Sequence, residues 1–275
     1  MRSALLIGIN YIGTGNALAG CINDVKSMQE LLSSIGYQCT VMTDELPRTS
    51  TLFPNRANIL SEMNSFVRRA SPNDKLFLHY SGHGTSVPDR SNDEDDRMDE
   101  AICPAVGANI LDDELRTTLI DQLPPLVSLT ILLDCCHSGT GIDLRYNYED
   151  TSQLLKLRRI PDEYNANDWR NRINRRMSQQ YKETQGVVIC ISGCRDSQTS
   201  ADTVFNDKPC GAMTEAFLRA YKSLKDPKHQ AELRSVMQYM TCMLRCYRYS
   251  QVPQLSLSKG ESDSLYAIKK FFIRL

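Results

Sequence analysis

At 275 residues, with 41% apolar and 24% charged residues, the chain has the make-up of an ordinary globular protein, long enough for a sizeable core. A formal net charge of −1 leaves no electrostatic footprint for nucleic acid, so no nucleic-acid partner is expected. No stretch approaches the roughly 18 apolar residues of a membrane span, and residues 1–10 lack a signal-peptide pattern; no membrane partner and a cytoplasmic location are expected.

Strand and helix patterns alternate along the chain. Residues 4–10 read as a strand. Val25, Met28, Leu31 and Leu32 follow at helical spacing. A second strand is expected over 37–43, and Ile59, Leu60, Met63, Phe66 and Val67 mark a second helix. A third strand covers 75–80. Asp112 and Asp113 read as the cap of a helix carrying Leu115 and Leu119. Strands at 129–136 and 187–192, helices at 212–224 and 232–247, and a last strand at 264–272 complete the series. Such alternation predicts an α/β fold, with a mostly parallel sheet and helices on both faces. Two stretches break the rhythm: the acidic loop 89–100 and the long basic segment 144–185. A connection as long as the second is usually functional or disordered.

Ten cysteines are scattered through the chain. Cys39, Cys103 and Cys190 lie in apolar runs, where a thiol acts as a small hydrophobe. The pairs 190/194 and 242/246 lack the spacing of a structural zinc site. Free thiols in a reducing compartment are expected.

Two motifs carry the chemistry. His79-Tyr80-Ser81-Gly82-His83-Gly84 ends the third strand, and Asp134-Cys135-Cys136-His137-Ser138-Gly139 ends the fourth. In parallel α/β sheets, ligands sit beyond the carboxyl ends of the strands. A thiol and an imidazole placed there suit nucleophilic catalysis, because a paired histidine stabilises the thiolate. The histidine precedes the cysteine by about 50 residues, which is the caspase order. Strand alternation puts Asp134 on the face of Cys136, and Cys135 on the opposite face as core packing. His79 reads as a structural histidine.

On these motifs, together with Leu6-Ile7-Gly8-Ile9-Asn10-Tyr11, Leu18-Ala19-Gly20-Cys21-Ile22-Asn23-Asp24 and the run from Ser192 to Asp202, the chain resembles the metacaspases, caspase-like cysteine peptidases. The resemblance implies a single caspase-like domain over 1–275, with a large part (1–143), a linker (144–185) and a small part (186–275). It implies that Cys136 is the nucleophile and His83 the base, with the amides of Gly84 and Cys136 as the oxyanion hole. It also implies that Cys21, Asp24, Ser81 and Asp134 line the specificity pocket. Locally Asp24 reads instead as a helix N-cap. Two carboxylates in that pocket would favour protein or peptide substrates cut after arginine or lysine.

Matching positions in the family bind calcium, which implicates Asp99, Asp112, Asp113 and Asp143. The linker is rich in the residues such a pocket would accept, so self-cleavage is expected at Lys156, Arg158, Arg159, Arg175 or Arg176. The chain starts at the first strand, without the proline-rich extension of many relatives, and a monomer is expected. The alternative is a catalytically silent caspase-like scaffold that binds basic segments.

Overall fold

A computed structural model describes residues 1–88, 98–135, 142, 144–150, 173–177, 184–193, 202–205, 208–224, 233–249 and 251–259. At its centre is an eight-stranded sheet. Strands β1 (Arg2–Gly8), β2 (Gln38–Thr43), β3 (Lys75–Ser81), β7 (Ser128–Asp134) and β10 (Val187–Ser192) run parallel, in the order β2-β1-β3-β7-β10. Beyond β10 the order continues antiparallel through β13 (Gln254–Leu257), β8 (Tyr146–Asp150) and β9 (Ile173–Met177). A separate three-stranded sheet holds β4 (Gly84–Pro88), β5 (Met98–Ile102) and β6 (Ile110–Leu111), and β11 (Asp202–Phe205) pairs with β12 (Lys208–Gly211).

The parallel strands are apolar on both faces, as a sheet covered on both sides requires. One face buries Leu6, Phe77, Leu132 and Ile191 under α1 (Cys21–Ser34), α4 (Ala212–Leu224) and α5 (Leu233–Cys246). The other buries Leu5, Ile7, Leu78, Leu129 and Ile131 under α2 (Arg56–Arg68) and the short α3 (Asp112–Leu115) with the π-helical turn Arg116–Ile120 after it. Burying each large aliphatic side chain stabilises the fold by about 1.5–3 kcal/mol before entropy is counted. Helix α1 keeps Ile22, Val25, Met28 and Leu32 inside and stops at Gly36, whose φ of 91° a side chain would strain. Gly8 lets α1 close on β1: a Cβ there would stand 2.6 Å from both the Cys21 carbonyl oxygen and Val25 Cγ2. Helix α2 is capped by Asn55, whose Oδ1 accepts the Asn58 N–H at 2.8 Å. Arg56, beside that cap, grips Glu114 with two hydrogen bonds and so ties α2 to α3.

Two expectations need correction, and one strand was not foreseen. The helix near Asp112 starts after Leu111, and Asp112 and Asp113 lie in its first turn rather than at the cap. The segment expected as linker, 144–185, supplies strands β8 and β9. Their polar sequences give little strand signal, but backbone pairing onto β13 does not depend on side-chain hydropathy. Strand β13 itself escaped notice because it is four residues long, yet Leu255 and Leu257 join the core. The strand expected at 264–272 and most of the acidic loop lie outside the described residues. All eight described cysteines are free thiols. Among the described residues no helix is long and apolar enough to cross a membrane.

Candidate active site

Strands β3 and β7 are neighbours, and Ser81 pairs with Asp134 at their carboxyl ends. The two strands that lead into the motifs therefore end side by side. Alternation assigns the side chains to faces. Tyr80, Leu133 and Cys135 enter the core under α2 and α3, as packing was expected of Cys135. His79, Ser81 and Asp134 belong to the face covered by α1 and α4. Cys136 and Asp143 lie outside the described residues.

His83 is held from three sides. Its Nε2 is 2.7 Å from the Asn16 carbonyl oxygen. A carbonyl only accepts, so Nε2 carries the proton and Nδ1 is the basic nitrogen. The imidazole lies against the Tyr11 ring, with centroids 4.5 Å apart. The His83 backbone N–H donates to the Tyr11 hydroxyl at 2.8 Å, and the Tyr80 hydroxyl donates to the His83 carbonyl at 2.7 Å. Tyr11 in turn donates to the Cys103 carbonyl at 2.6 Å, and the Cys103 N–H returns to the His83 carbonyl at 3.0 Å. Burial pushes both phenols well above the ordinary tyrosine range, so both stay protonated as donors. Gly82 makes room for them: a Cβ there would meet the Tyr80 hydroxyl at 2.7 Å and the Tyr11 hydroxyl at 3.0 Å. Gly84, the expected oxyanion donor, follows His83 directly and opens β4.

This support makes Tyr11→Phe informative. The ring contact survives, but the His83 amide and the Cys103 carbonyl each lose a partner. If the expected chemistry holds, kcat falls about tenfold with little change in KM, and thermal stability falls by about 1–3 kcal/mol. Steady-state kinetics beside a thermal melt would check both.

The second cluster contains the expected pocket residues. Asp24 lies in the first turn of α1, whose cap is Gly20, so the local reading of Asp24 as N-cap does not hold. Cys21 opens the same helix and is buried. Ser81 donates to Asp24 Oδ2 at 2.7 Å, and the Gly211 N–H donates to both Asp24 oxygens at 2.9 and 3.0 Å. Asp134 Oδ2 accepts from the Thr214 N–H and from the Thr214 hydroxyl, both at 2.8 Å. A Cβ on Gly211 would stand 2.1 Å from Asp134 Oδ2 and 2.8 Å from Asp24 Oδ2. Both carboxylates, each only 2% exposed, thus face one backbone glycine. Gly211 and Thr214 gave no signal in the sequence, because they reach this cluster from far along the chain. Tyr11 did stand within a motif, but nothing local showed what its hydroxyl would touch.

The expected calcium ligands are only partly assembled. Asp99, on β5, and Asp112, at the start of α3, are both buried. Asp112 accepts the Glu100 N–H at 2.8 Å and the Asp113 N–H at 2.9 Å, one on each oxygen. Their hard oxygens suit calcium. Among the described residues, however, no group of three or more acidic, histidine or cysteine side chains is placed to hold a metal.

A parallel sheet that delivers a fixed histidine from the end of one strand, beside a strand that ends two residues before Cys136 in the sequence, defines the class as a caspase-like α/β protein. Residues 2–145 match the sequence profile described as metacaspase, peptidase C14 domain. The chain is similar to Metacaspase-1 of Coccidioides immitis, with 38% identity over 97% of this chain and 64% of that protein. It is similar to Metacaspase-1A of Aspergillus terreus, with 36% identity over 94% of this chain and 70% of that one. For Metacaspase-1 of Schizosaccharomyces pombe the figures are 36%, 94% and 67%. The chain belongs to the metacaspase family of cysteine peptidases, and it spans roughly two thirds of the length of these relatives. Among solved structures, protein GSU0716 from Geobacter sulfurreducens shares the fold, with a TM-score of 0.63, 24% identity, and coverage of 93% of this chain and 92% of that one.

Proposed function

We propose that the chain is a cysteine endopeptidase that cleaves after arginine or lysine through Cys136 and His83, acts as a monomer and is activated by calcium. The observation that carries the specificity is the convergence of Asp24 and Asp134 on Gly211, on the sheet face that α1 and α4 cover. Two carboxylates facing one point favour a cation, and arginine's fork can meet them bidentately.

In this reading His83 Nδ1 takes the Cys136 thiol proton, and the thiolate attacks the scissile carbonyl carbon. The oxyanion meets the amides of Gly84 and Cys136. Collapse breaks the C–N bond, and the leaving amine takes the proton from His83. Water, deprotonated by His83, then hydrolyses the thioester and frees the thiol. Because both carboxylates are buried, a basic side chain reaches them by displacing the Gly211 amide from Asp24.

Calcium, held by Asp99, Asp112, Asp113 and Asp143, would supply charge that orders the loops beside the pocket. Self-processing falls in 144–185. Of its candidate residues, Lys156, Arg158 and Arg159 lie outside the described residues, whereas Arg175 and Arg176 lie in edge strand β9. Cutting after either would require β9 to leave its ladder with β8.

One grid tests the proposal. Wild type and Cys136→Ala are assayed on arginyl, lysyl and aspartyl peptides, with calcium and with chelator. The expected result is turnover of basic peptides at least about 100-fold above the aspartyl one, dependent on calcium and absent from Cys136→Ala, which also stays un-nicked. Comparable aspartyl turnover would overturn the specificity. Activity unchanged by chelation would overturn the role of calcium, and a nicked Cys136→Ala protein would overturn self-processing.

A further inference from the structure

We infer that His79 and Thr214 are positioning residues for substrate selectivity, aligning the Asp134 carboxylate through a directed chain of hydrogen bonds. The inference rests on the reading of Asp134 as a pocket wall. Thr214 Oγ1 has a single proton, and it donates to Asp134 Oδ2 at 2.8 Å. Towards His79 Nε2, 3.0 Å away, the same oxygen can therefore only accept. Nε2 thus carries the imidazole proton, and donation runs from His79 to Thr214 to Asp134.

This arrangement leaves His79 Nδ1 buried with no partner. An unpaired buried acceptor costs stability. The ring is fully buried, and burial pushes its pKa down to about 3, so it is a fixed neutral donor rather than a proton carrier. A leucine at this position would bury no unpaired nitrogen. The histidine gains only its bond to Thr214. That bond fixes which way the threonine hydroxyl points and hence how the carboxylate lies. The three groups come from β3, β7 and the first turn of α4, so the chain clamps the helix start to both strands.

Orientation matters unequally to the two basic side chains. Arginine's planar fork needs a carboxylate held at a set angle, whereas the lysine ammonium is a point charge that tolerates rotation. Loosening Asp134 therefore degrades arginine recognition more than lysine recognition.

The experiment measures the ratio of kcat/KM for arginyl over lysyl peptides, which does not depend on the folded fraction. In Thr214→Val and His79→Leu the ratio is expected to fall about tenfold, and in Thr214→Ser to stay near wild type. His79→Leu should melt no lower than wild type while still losing selectivity, which a purely structural role would not produce. Asp134→Asn is run beside them. If it loses the preference for basic over aspartyl peptides while Thr214→Val and His79→Leu keep the wild-type arginine-to-lysine ratio, the inference alone is overturned. If Asp134→Asn keeps that preference, the pocket reading falls and the inference with it.

Discussion

Replacing His83 with glutamine is expected to lower kcat on an arginyl peptide by about 10³- to 10⁴-fold, with KM within about threefold of wild type. The magnitude follows from the geometry. The Asn16 carbonyl accepts the Nε2–H hydrogen bond, so in the proposed mechanism Nδ1 is the nitrogen that receives the thiol proton and returns it to the leaving amine. Glutamine offers no nitrogen of comparable basicity. The backbone bonds that shape the turn, from the His83 amide to Tyr11 and from Tyr80 to the His83 carbonyl, do not involve the side chain and survive. The melting temperature should therefore move little. A fall below tenfold, or a fall that tracks unfolding, would remove His83 from the chemistry.

Asp24→Asn should separate charge from shape in the pocket. The amide still accepts a hydrogen bond, so Ser81 and Gly211 retain a partner in part, and a modest stability loss of about 1–3 kcal/mol is expected. Selectivity should suffer far more. Removing one of two converging charges is expected to lower kcat/KM for arginyl peptides by about 100-fold, mostly through KM, because a buried, charge-assisted contact to the guanidinium is lost. Turnover of an uncharged peptide should change little. Equal losses on charged and uncharged peptides would show that Asp24 supports only the fold.

The sequence carried the parallel sheet and both motifs because their signals are local: apolar runs of strand length, ended by glycine. Strand 187–192 and helix 212–224 coincide with β10 and α4 for this reason. Strands β8 and β9 were hidden because an outer ladder is built from backbone hydrogen bonds, which polar residues make as well as apolar ones. The strand ending at 134 rather than 136 leaves Cys135 buried in the core just beyond it. The candidate site divides the same way. His83 stood out from the order and spacing of the two motifs, and Ser81 and Asp134 were implied by the family resemblance; β3 and β7 place these last two opposite each other. The groups that orient them could not. Thr214 reaches Asp134 across 80 positions, and Gly211 reaches Asp24 across 187. Such contacts exist only once α4 has packed against α1 and the sheet.

Incubation with a peptidyl chloromethyl ketone ending in arginine, followed by peptide mapping, tests the central claim most directly. The account predicts a single adduct on Cys136, formed much faster than with the aspartyl analogue and lost in His83→Gln. Labelling spread over the other cysteines, or equal labelling by both reagents, would contradict it.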